Sequence, residues 1–333
     1  MLEKLNCYVK RLSITLVVIA LVVGMEGCIF GPSSQDLEIR DWYDLHAVRD
    51  NLSGHHILMN DLDSTAAGYT ELVSPTANQG KGWQPIGTGN SPFTGTFDGQ
   101  GYEIHDLFIN RPDESYVGLF GCLDEEGVIK DIGVVNADVT GGPEYVGGLL
   151  GANVGTVSNS YSTGNATGED FVGGLVGFNG EASTVSNSYS TGNVNGPYGV
   201  GSLVGANVGT VSNSYSTGSV TGENGAGGLV GLNGEGGTVS NSYSTGNVNG
   251  NVYVGGLVGG NVDTVSNSFW DTETSGQSTS AGGTGKTTVE MQDIATFSGV
   301  GWNIIAVASD SNNPTYIWNI VDDETYPFLS WQS

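Results

Sequence analysis

The chain has 333 residues, of which only 13% are charged, and its 35 acidic against 9 basic residues give a formal net charge of -26. Glycine fills 55 positions, so packing must repay an unusually large loss of backbone entropy on folding. This acidity is the opposite of the basic surface that binds phosphates, and it argues against a nucleic-acid partner.

The first residues have the layout of a secretory signal. Lys10 and Arg11 precede an apolar run from Leu12 to Val23, and small residues follow it. The run is shorter than the roughly 20 residues that a helix needs to cross a membrane. Residues 1–27 are therefore predicted to be a signal peptide, which makes the protein an exported one.

The signal ends in Gly27-Cys28, which resembles the lipobox of prokaryotic lipoproteins. The resemblance implies that Cys28 is the lipid attachment site and the mature N-terminus, so that the protein sits at the membrane on the cell surface. Glu26 stands where that motif has a small residue, and ordinary signal-peptidase cleavage is the alternative. Cys7 would leave with the signal and Cys28 would carry lipid, so Cys122 has no disulfide partner.

A cap is expected ahead of the main body of the chain. Residues 28–40 are predicted to be a linker, and residues 41–116 an N-terminal cap with lead-in coils. Trp42, Leu45 and Val48 recur at helical spacing behind Asp41, a good N-cap residue. A short helix covering the first coil follows from this pattern.

A repeated phrase occupies residues 117–272. Val-Gly-Gly-Leu-Leu-Gly-Ala-Asn begins at Val146, and related copies recur at intervals of 26 to 29 residues. The six copies begin at Val117, Val146, Val172, Val200, Ala226 and Val254. A period of this length indicates a solenoid, because one unit cannot bury its own apolar face and must stack on its neighbours.

Each copy holds three short apolar segments, separated by glycine and asparagine. Val146, Leu150 and Ala152 are expected on one inward-facing side, with Val157 and Ala166 beginning the second and third segments. Three parallel strands per coil are predicted, with the Gly-Gly pairs at corners of positive φ. A propeller blade would need about 40 residues, and a disordered linker would lack this regularity.

The stretches Gly-Gly-Leu-Val-Gly at 173–177 and 255–259, with Ser-Asn-Ser-Tyr-Ser-Thr-Gly following the first, resemble the GLUG repeat of prokaryotic cell-surface proteins. Residues 93–104 and 269–276 resemble the segments that flank such repeats. The resemblance implies an all-β, right-handed parallel β-helix in an adhesin-like or structural surface protein. It says almost nothing about activity, because a fold does not determine a function.

Residues 273–333 are predicted to be an atypical C-terminal cap. Thr287 and Glu290 match a capping box that would open a helix through about Phe297. An apolar tail follows, and we expect it to close the last coil: Trp302, Trp318, Tyr326, Phe328 and Trp331. Residues 283–288 look like the end of a P-loop but lack its first glycine and preceding strand, which predicts a flexible turn and no bound nucleotide.

One aromatic position recurs in register along the repeats: Tyr161, Tyr189, Tyr215, Tyr243 and Phe269. If these rings point outward, they form a platform for sugar rings or for a partner protein. If they point inward, they form a stacking ladder in the core, which is the interpretation we favour. The alternating serines on either side do not distinguish the two.

Signals for catalysis and for bound metals are weak. No His-Glu pair occurs and all four histidines precede the repeats, which argues against zinc. No cofactor is expected; calcium is the metal left open, at the acidic stretches 61–63 and 322–324. Five acids lie fairly close together in sequence without establishing a cleft: Asp98, Glu103, Asp106, Asp138 and Glu144.

The sequence therefore favours a monomeric, non-catalytic surface module that binds glycans or a partner protein, if it binds anything. The alternative is a polysaccharide lyase or glycoside hydrolase on a β-helix. A lyase commonly needs a basic residue, and none lies between Asp131 and Gly285. A glycosidase needs two carboxylates about 5 to 10 Å apart. A groove that gathers two or more carboxylates would therefore favour an enzyme.

Overall fold

The computed structural model describes residues 37–332, so the predicted signal peptide and Cys28 lie outside the described residues. Three sheets of parallel strands run along a solenoid. Sheet 1 has nine strands, in order Leu37–Ile39, His55–Leu58, Thr96–Asp98, Val128–Lys130, Thr156–Ser158, Thr184–Ser186, Thr210–Ser212, Thr238–Ser240 and Thr264–Ser266. Sheet 2 has six, namely Phe120–Leu123, Leu150–Asn153, Val176–Asn179, Val204–Asn207, Val230–Asn233 and Val258–Asn261.

Sheet 3 is the largest, with 14 strands. They are Glu103–His105, Phe108–Asn110, Gly133–Thr140, Glu144–Gly147, Tyr161–Thr167, Asp170–Gly173, Tyr189–Ser190, Val194–Gly201, Tyr215–Ser216, Val220–Gly227, Tyr243–Ser244, Val248–Gly255, Phe269–Asp271 and Thr284–Lys286. The repeated phrase sets the register, since Val146 pairs with Val172 and Val172 with Val200. The predicted parallel β-helix with three strands per coil is confirmed.

Ladders of like residues fill the interior. Leu175, Leu203 and Leu229 are fully buried one above the other, and valines from all three sheets complete the core. A buried polar ladder runs beside them, in which each asparagine Nδ2 donates to the Oδ1 of the next at 2.7 to 2.8 Å. Its members are Asn153, Asn179, Asn207, Asn233 and Asn261. This chain of amides satisfies polar groups that burial would otherwise leave unpaired.

The asparagine ladder explains why the prediction for Ala152 was wrong. Leu150 and Asn153 both contribute to the interior, so strict alternation fails at the glycine between them. Ala152 instead joins a separate outer cluster with Tyr145 and Phe178.

The expected positive φ at the Gly-Gly pairs was also wrong. The positive-φ positions that recur in the repeat lie elsewhere. One is an asparagine, as at Asn159 and Asn187 with φ of 48° and 49°, and the other directly precedes the Val-Gly-Gly phrase, as at Phe171 with φ of 59°. The paired glycines are needed because backbone from the next strand comes very close: a Cβ on Gly173 would lie 1.9 Å from the carbonyl oxygen of Val176.

The N-terminal cap forms as predicted. Its helix spans Trp42–Ala47, and the Asp41 carboxylate accepts hydrogen bonds from the amides of Tyr43 and Asp44 at 2.9 Å. Trp42 and Leu45 are fully buried against the first coils. A 3-10 turn at Val48–Asp50, a short helix at Tyr69–Leu72 and a turn at Ala77–Gly80 complete this end.

The C-terminal segment departs from its prediction in two ways. The Thr287 capping box is present, but two short helices follow it, Thr288–Met291 and Ile294–Ser298, because Asp293 caps the second one. The predicted flexible turn is instead the strand Thr284–Lys286, which pairs with Phe269–Asp271. A small fourth sheet follows, formed by Ile304–Ala306, Trp318–Ile320 and Phe328–Leu329.

The apolar tail was expected to close the last coil, and it does not do so. It packs along the side of the solenoid against the recurrent aromatic position, which offers a longer apolar surface than one coil end. The end of the last coil instead pairs with a short stretch in which Thr279 and Ala281 hydrogen-bond to Gly256 and Val258. Between residues 37 and 332, no helix has the length and apolar character of a membrane span.

Candidate functional site: an aromatic row and the groove at its upstream end

The recurrent aromatic residues occupy the same position on successive strands, and we call them the aromatic row: Tyr161, Tyr189, Tyr215, Tyr243 and Phe269. The four tyrosine rings are nearly parallel, with successive centroids 4.7, 4.9 and 5.1 Å apart. From Tyr189 to Phe269 the row belongs to a hydrophobic cluster separate from the solenoid interior. It therefore lies on the outside of sheet 3 yet is covered by another part of the chain.

The C-terminal tail supplies that cover. Trp318 is fully buried beside Tyr215 and Tyr243, and Phe297 packs edge-on to Phe269. The Tyr243 hydroxyl donates to the carbonyl oxygen of Pro327 at 2.5 Å. The downstream part of the row is thus a second core and offers no open platform.

The buried phenols have strongly altered acidity. Burial raises the pKa of Tyr215 and of Tyr243 well above the ordinary tyrosine value. Burial also raises the pKa of Tyr161, and the nearby Glu103 carboxylate, which accepts its hydroxyl hydrogen, raises it further. These phenols are therefore neutral at physiological pH, and those of Tyr161 and Tyr243 donate hydrogen bonds.

The upstream end of the row opens into a groove of about 690 Å³. Tyr161, Tyr189, Trp331 and Gln332 form one wall, and Tyr161 and Trp331 are only partly buried. The rest of the lining is polar and includes Asp98, Gln100, Glu103, Lys130, Asp131 and Asn159. The volume falls within the range of about 300 to 1,000 Å³ that is typical of ligand pockets.

Strand register explains why the groove lies here. Glu103, Gly133 and Tyr161 occupy the same position on successive strands, so the row has no side chain at the Gly133 level. A Cβ on Gly133 would lie 2.4 Å from Cζ of Tyr161. The Tyr161 ring therefore leans over Gly133, and its hydroxyl reaches Glu103.

The charged groups of the groove are paired with one another. Lys130 contacts Asp98 and lies 3.1 Å from an Asp131 carboxylate oxygen. Its hydrogen bond to Asp98, together with that to Asp131, outweighs burial and raises the pKa of Lys130. Glu103 accepts from Tyr161 and lies 2.8 Å from Nε2 of His105.

The structure brings some of the sequence-predicted acids together and separates others. Asp98 and Glu103 line the groove, whereas Asp106, Asp138 and Glu144 do not. Sequence reasoning missed Lys130 and Asp131 as groove residues, although Asp131 occupies the corner that Asn159 takes in the next coil. The groove gathers more than one carboxylate, the arrangement set out above as favouring an enzyme.

The acidic stretches considered for calcium are engaged with backbone amides. Asp61 accepts from the Glu103 amide at 2.9 Å, and Asp322 accepts from the Ile294 amide at 2.8 Å. Across residues 37–332, no three His, Cys, Asp or Glu side chains converge as a metal-binding group. Calcium binding stays a prediction.

Cys122 is buried and forms no disulfide within residues 37–332, and burial raises the pKa of its thiol to about 12.

The fold makes this chain a parallel β-helix. Residues 142–167, 172–195, 196–221 and 222–249 match the GLUG motif. These four stretches are GLUG repeats, as the sequence resemblance implied.

Two relatives share part of the sequence. Halomucin of Haloquadratum walsbyi is 38% identical over 154 residues, which are 44% of this chain and 2% of halomucin. A protein of Evansella cellulosilytica, named only provisionally as a Gly-rich membrane protein, is 39% identical over 119 residues, which are 34% of this chain and 13% of that protein. The matches thus span a small fraction of the length of these relatives.

One solved structure shares nearly the whole fold. A protein of Bacteroides ovatus, described as a candidate immunoglobulin A1 protease, superimposes with a TM-score of 0.65 over 91% of this chain and 94% of its own. The sequences are 21% identical, so the similarity concerns the fold alone.

Proposed function

We propose that this chain is a non-catalytic β-helix module at the cell surface, with an adhesin-like or structural role. The stack of GLUG coils carries the proposal, because much larger proteins contain matching stretches as a small part of their length. One of those relatives is named a membrane protein, which supports a location at the membrane.

The proposal includes export and a lipid anchor at Cys28, with the β-helix acting as a monomer. Cell fractionation of the full chain tests the anchor. Wild-type protein is expected in the membrane fraction with an incorporated fatty acid, and Cys28→Ala is expected to lose both. Cys122→Ala is the matched control and should keep the lipid. Fatty acid retained in Cys28→Ala would contradict the anchor.

The absence of catalysis rests on the partners of the groove carboxylates. Asp98 and Asp131 are both paired with Lys130, and Glu103 with Tyr161 and His105. A glycosidase instead needs one carboxyl group that is kept protonated to act as an acid.

Product analysis on a polysaccharide panel tests this part of the proposal. Immunoglobulin A1 is included because of the name of the structural neighbour. We expect no cleavage of any of these. Cleavage that is lost in Glu103→Gln would overturn the proposal.

A glycoside hydrolase or polysaccharide lyase is the second candidate function. The specific observation in its favour is the gathering of Asp98, Glu103 and Asp131 in one groove. Cleavage lost in the Glu103→Gln variant is the result that would favour this candidate over the first.

A further inference from the structure

We infer that the groove beside Tyr161 is a binding site for an uncharged or amino-sugar oligosaccharide. The inference rests on the proposed function to the extent that the sugar is held without being cleaved. It concerns a single place on the molecule, because the remainder of the aromatic row lies under the C-terminal tail.

The aromatic wall has the features that sugar binding uses. Tyr161, Tyr189 and Trp331 are partly buried, whereas Tyr215, Tyr243 and Phe269 are buried. The Trp331 ring lies 6.1 Å from that of Tyr161 and 5.7 Å from that of Tyr189, measured between centroids. Such aromatic faces pack against the C–H face of a pyranose while their polar edges stay hydrated.

The wall is also rigid before any ligand arrives. The Trp331 indole donates to the carbonyl oxygen of Asn187 at 3.1 Å, and Gln332 donates to the hydroxyl of Tyr215 at 2.7 Å. Tyr161 is held between its stack on Tyr189 and its hydrogen bond to Glu103. Little side-chain freedom remains to be lost on binding, which favours affinity.

The rest of the lining supplies hydrogen-bonding groups suited to hydroxyls. Asp98, Glu103 and Asp131 offer carboxylate oxygens, and Gln100 and Asn159 offer amides. Planar side chains of this kind can bond two neighbouring hydroxyls of a sugar at once. Apolar faces with a few placed polar groups are the usual composition of a small-molecule site.

Charge selects among saccharides. The groove has three carboxylates and one lysine, on a protein whose net charge is -26. A uronate or sulfated chain would meet like charge, and Lys130 is already shared between Asp98 and Asp131. The site therefore fits neutral and amino sugars and disfavours acidic polysaccharides.

Titration calorimetry with the purified full chain tests this inference. The probes are short oligomers of β-linked glucose, xylose, N-acetylglucosamine and glucosamine, with oligogalacturonate as the anionic comparison. Binding of at least one neutral or amino-sugar oligomer, and none of oligogalacturonate, is the expected result. Failure of all the neutral and amino-sugar probes, or preference for oligogalacturonate, would overturn the inference while leaving the proposed surface role standing.

Variants locate the site. Tyr161→Ala is expected to weaken binding about tenfold, as the loss of an aromatic contact would do. Tyr253→Ala is the matched control, since Tyr253 is 55% exposed and lies outside the groove. Equal effects of the two substitutions would overturn the placement.

Two further measurements keep the test decisive. If Tyr161→Ala fails to fold, Asp98→Asn and Gln100→Ala replace it, because each alters the polar lining of the groove. Each is expected to weaken binding, and unchanged affinity in both would overturn the placement.

Chromatography of the bound oligosaccharide is expected to recover it intact. Cleavage would instead overturn the non-catalytic proposal while keeping the saccharide site.

Discussion

The molecule has two hydrophobic cores, and they were formed by different means. The solenoid interior is built from residues that recur with every coil, such as Leu175, Leu203 and Leu229. The second core joins one recurrent residue, the aromatic row, to a tail with no internal repeat. A repeat period in the sequence therefore sets the register of the strands. It does not determine which outward-facing side chains of the solenoid are covered by another segment of the chain.

The largest expected effect comes from the second core. Trp318→Ala removes a fully buried indole between Tyr215 and Tyr243, and should lower the free energy of unfolding by about 4 kcal/mol. Limited proteolysis should cut the tail while the far-ultraviolet circular dichroism of the solenoid persists. Val289→Ala, at a site 73% exposed, is the control and should change little. Simultaneous loss of all structure would show that the two cores are one unit.

A substitution in the solenoid interior should weaken the first core and leave the tail in place. Leu203→Ala leaves a cavity at a fully buried position and should lower the free energy of unfolding by about 3 kcal/mol. Urea titration followed by circular dichroism measures the change. The main solenoid transition should move while the tail stays resistant to protease below that transition. A loss below about 1 kcal/mol would mean that this coil packs loosely.

The polar ladder should matter despite being hydrophilic. Asn207→Ala removes the ladder partners of the Asn179 side-chain amide and of the Asn233 side-chain carbonyl, at an expected loss of about 2 kcal/mol in stability. Thermal unfolding of this variant against Asn251→Ala, an exposed asparagine, gives the measurement. Equal stability of the two variants would refute a stabilising role for the ladder.

A smaller effect is expected at one hydroxyl of the aromatic row. Tyr243→Phe keeps the stack but removes the hydrogen bond to Pro327, which should lower the free energy of unfolding by about 1 kcal/mol. Tyr253→Phe, at an exposed site, is the matched control. Denaturant titration of both variants is the measurement. Coinciding unfolding midpoints would contradict a stabilising role for the hydrogen bond from Tyr243 to Pro327.

The pH dependence of the tail is the smallest effect expected. Burial opposes ionisation of Asp271, but hydrogen bonds from Tyr326 and Thr288 outweigh it and hold the pKa of this carboxyl below the ordinary 3.8. Its ionised form therefore stabilises the fold above that value, and the contribution is lost as the pH falls through the lower folded pKa.

Asp271→Asn tests this effect. The variant should be less stable at neutral pH, and its tail should be released with a weaker dependence on acid. Protease sensitivity measured across the acid range compares wild type with Asp271→Asn, and Asp310→Asn serves as an exposed control. Identical acid profiles of wild type and Asp271→Asn would contradict the account.

The sequence predicted the elements that depend on local or repeated signals. The coil register from Val146 onward, the Asp41 cap and the Thr287 capping box all follow from spacing and side-chain chemistry. Ala152 was misplaced because the inward-outward alternation of the strand breaks between Leu150 and Asn153, which composition does not reveal. The inward-facing asparagines recur in every later copy, so the repeat itself carried the signal for their ladder.

The candidate groove was only partly predictable. Its aromatic wall belongs to the recurrent position, but the opening depends on Gly133 taking the place of a tyrosine and on Trp331 arriving from 170 residues downstream of Tyr161. No local pattern encodes such a contact between distant segments. The carboxylates Asp98 and Asp131 likewise meet only because successive coils stack around Lys130.

Hydroxyl-radical footprinting read by mass spectrometry tests whether the C-terminal tail covers the aromatic row, because it measures the exposure of each aromatic side chain. We expect strong labelling of Tyr253, intermediate labelling of Tyr161 and Trp331, and protection of Tyr215, Tyr243 and Trp318. Labelling of Tyr215 and Tyr243 as strong as that of Tyr253 would contradict this expectation, since the aromatic row would then be an open platform along its whole length.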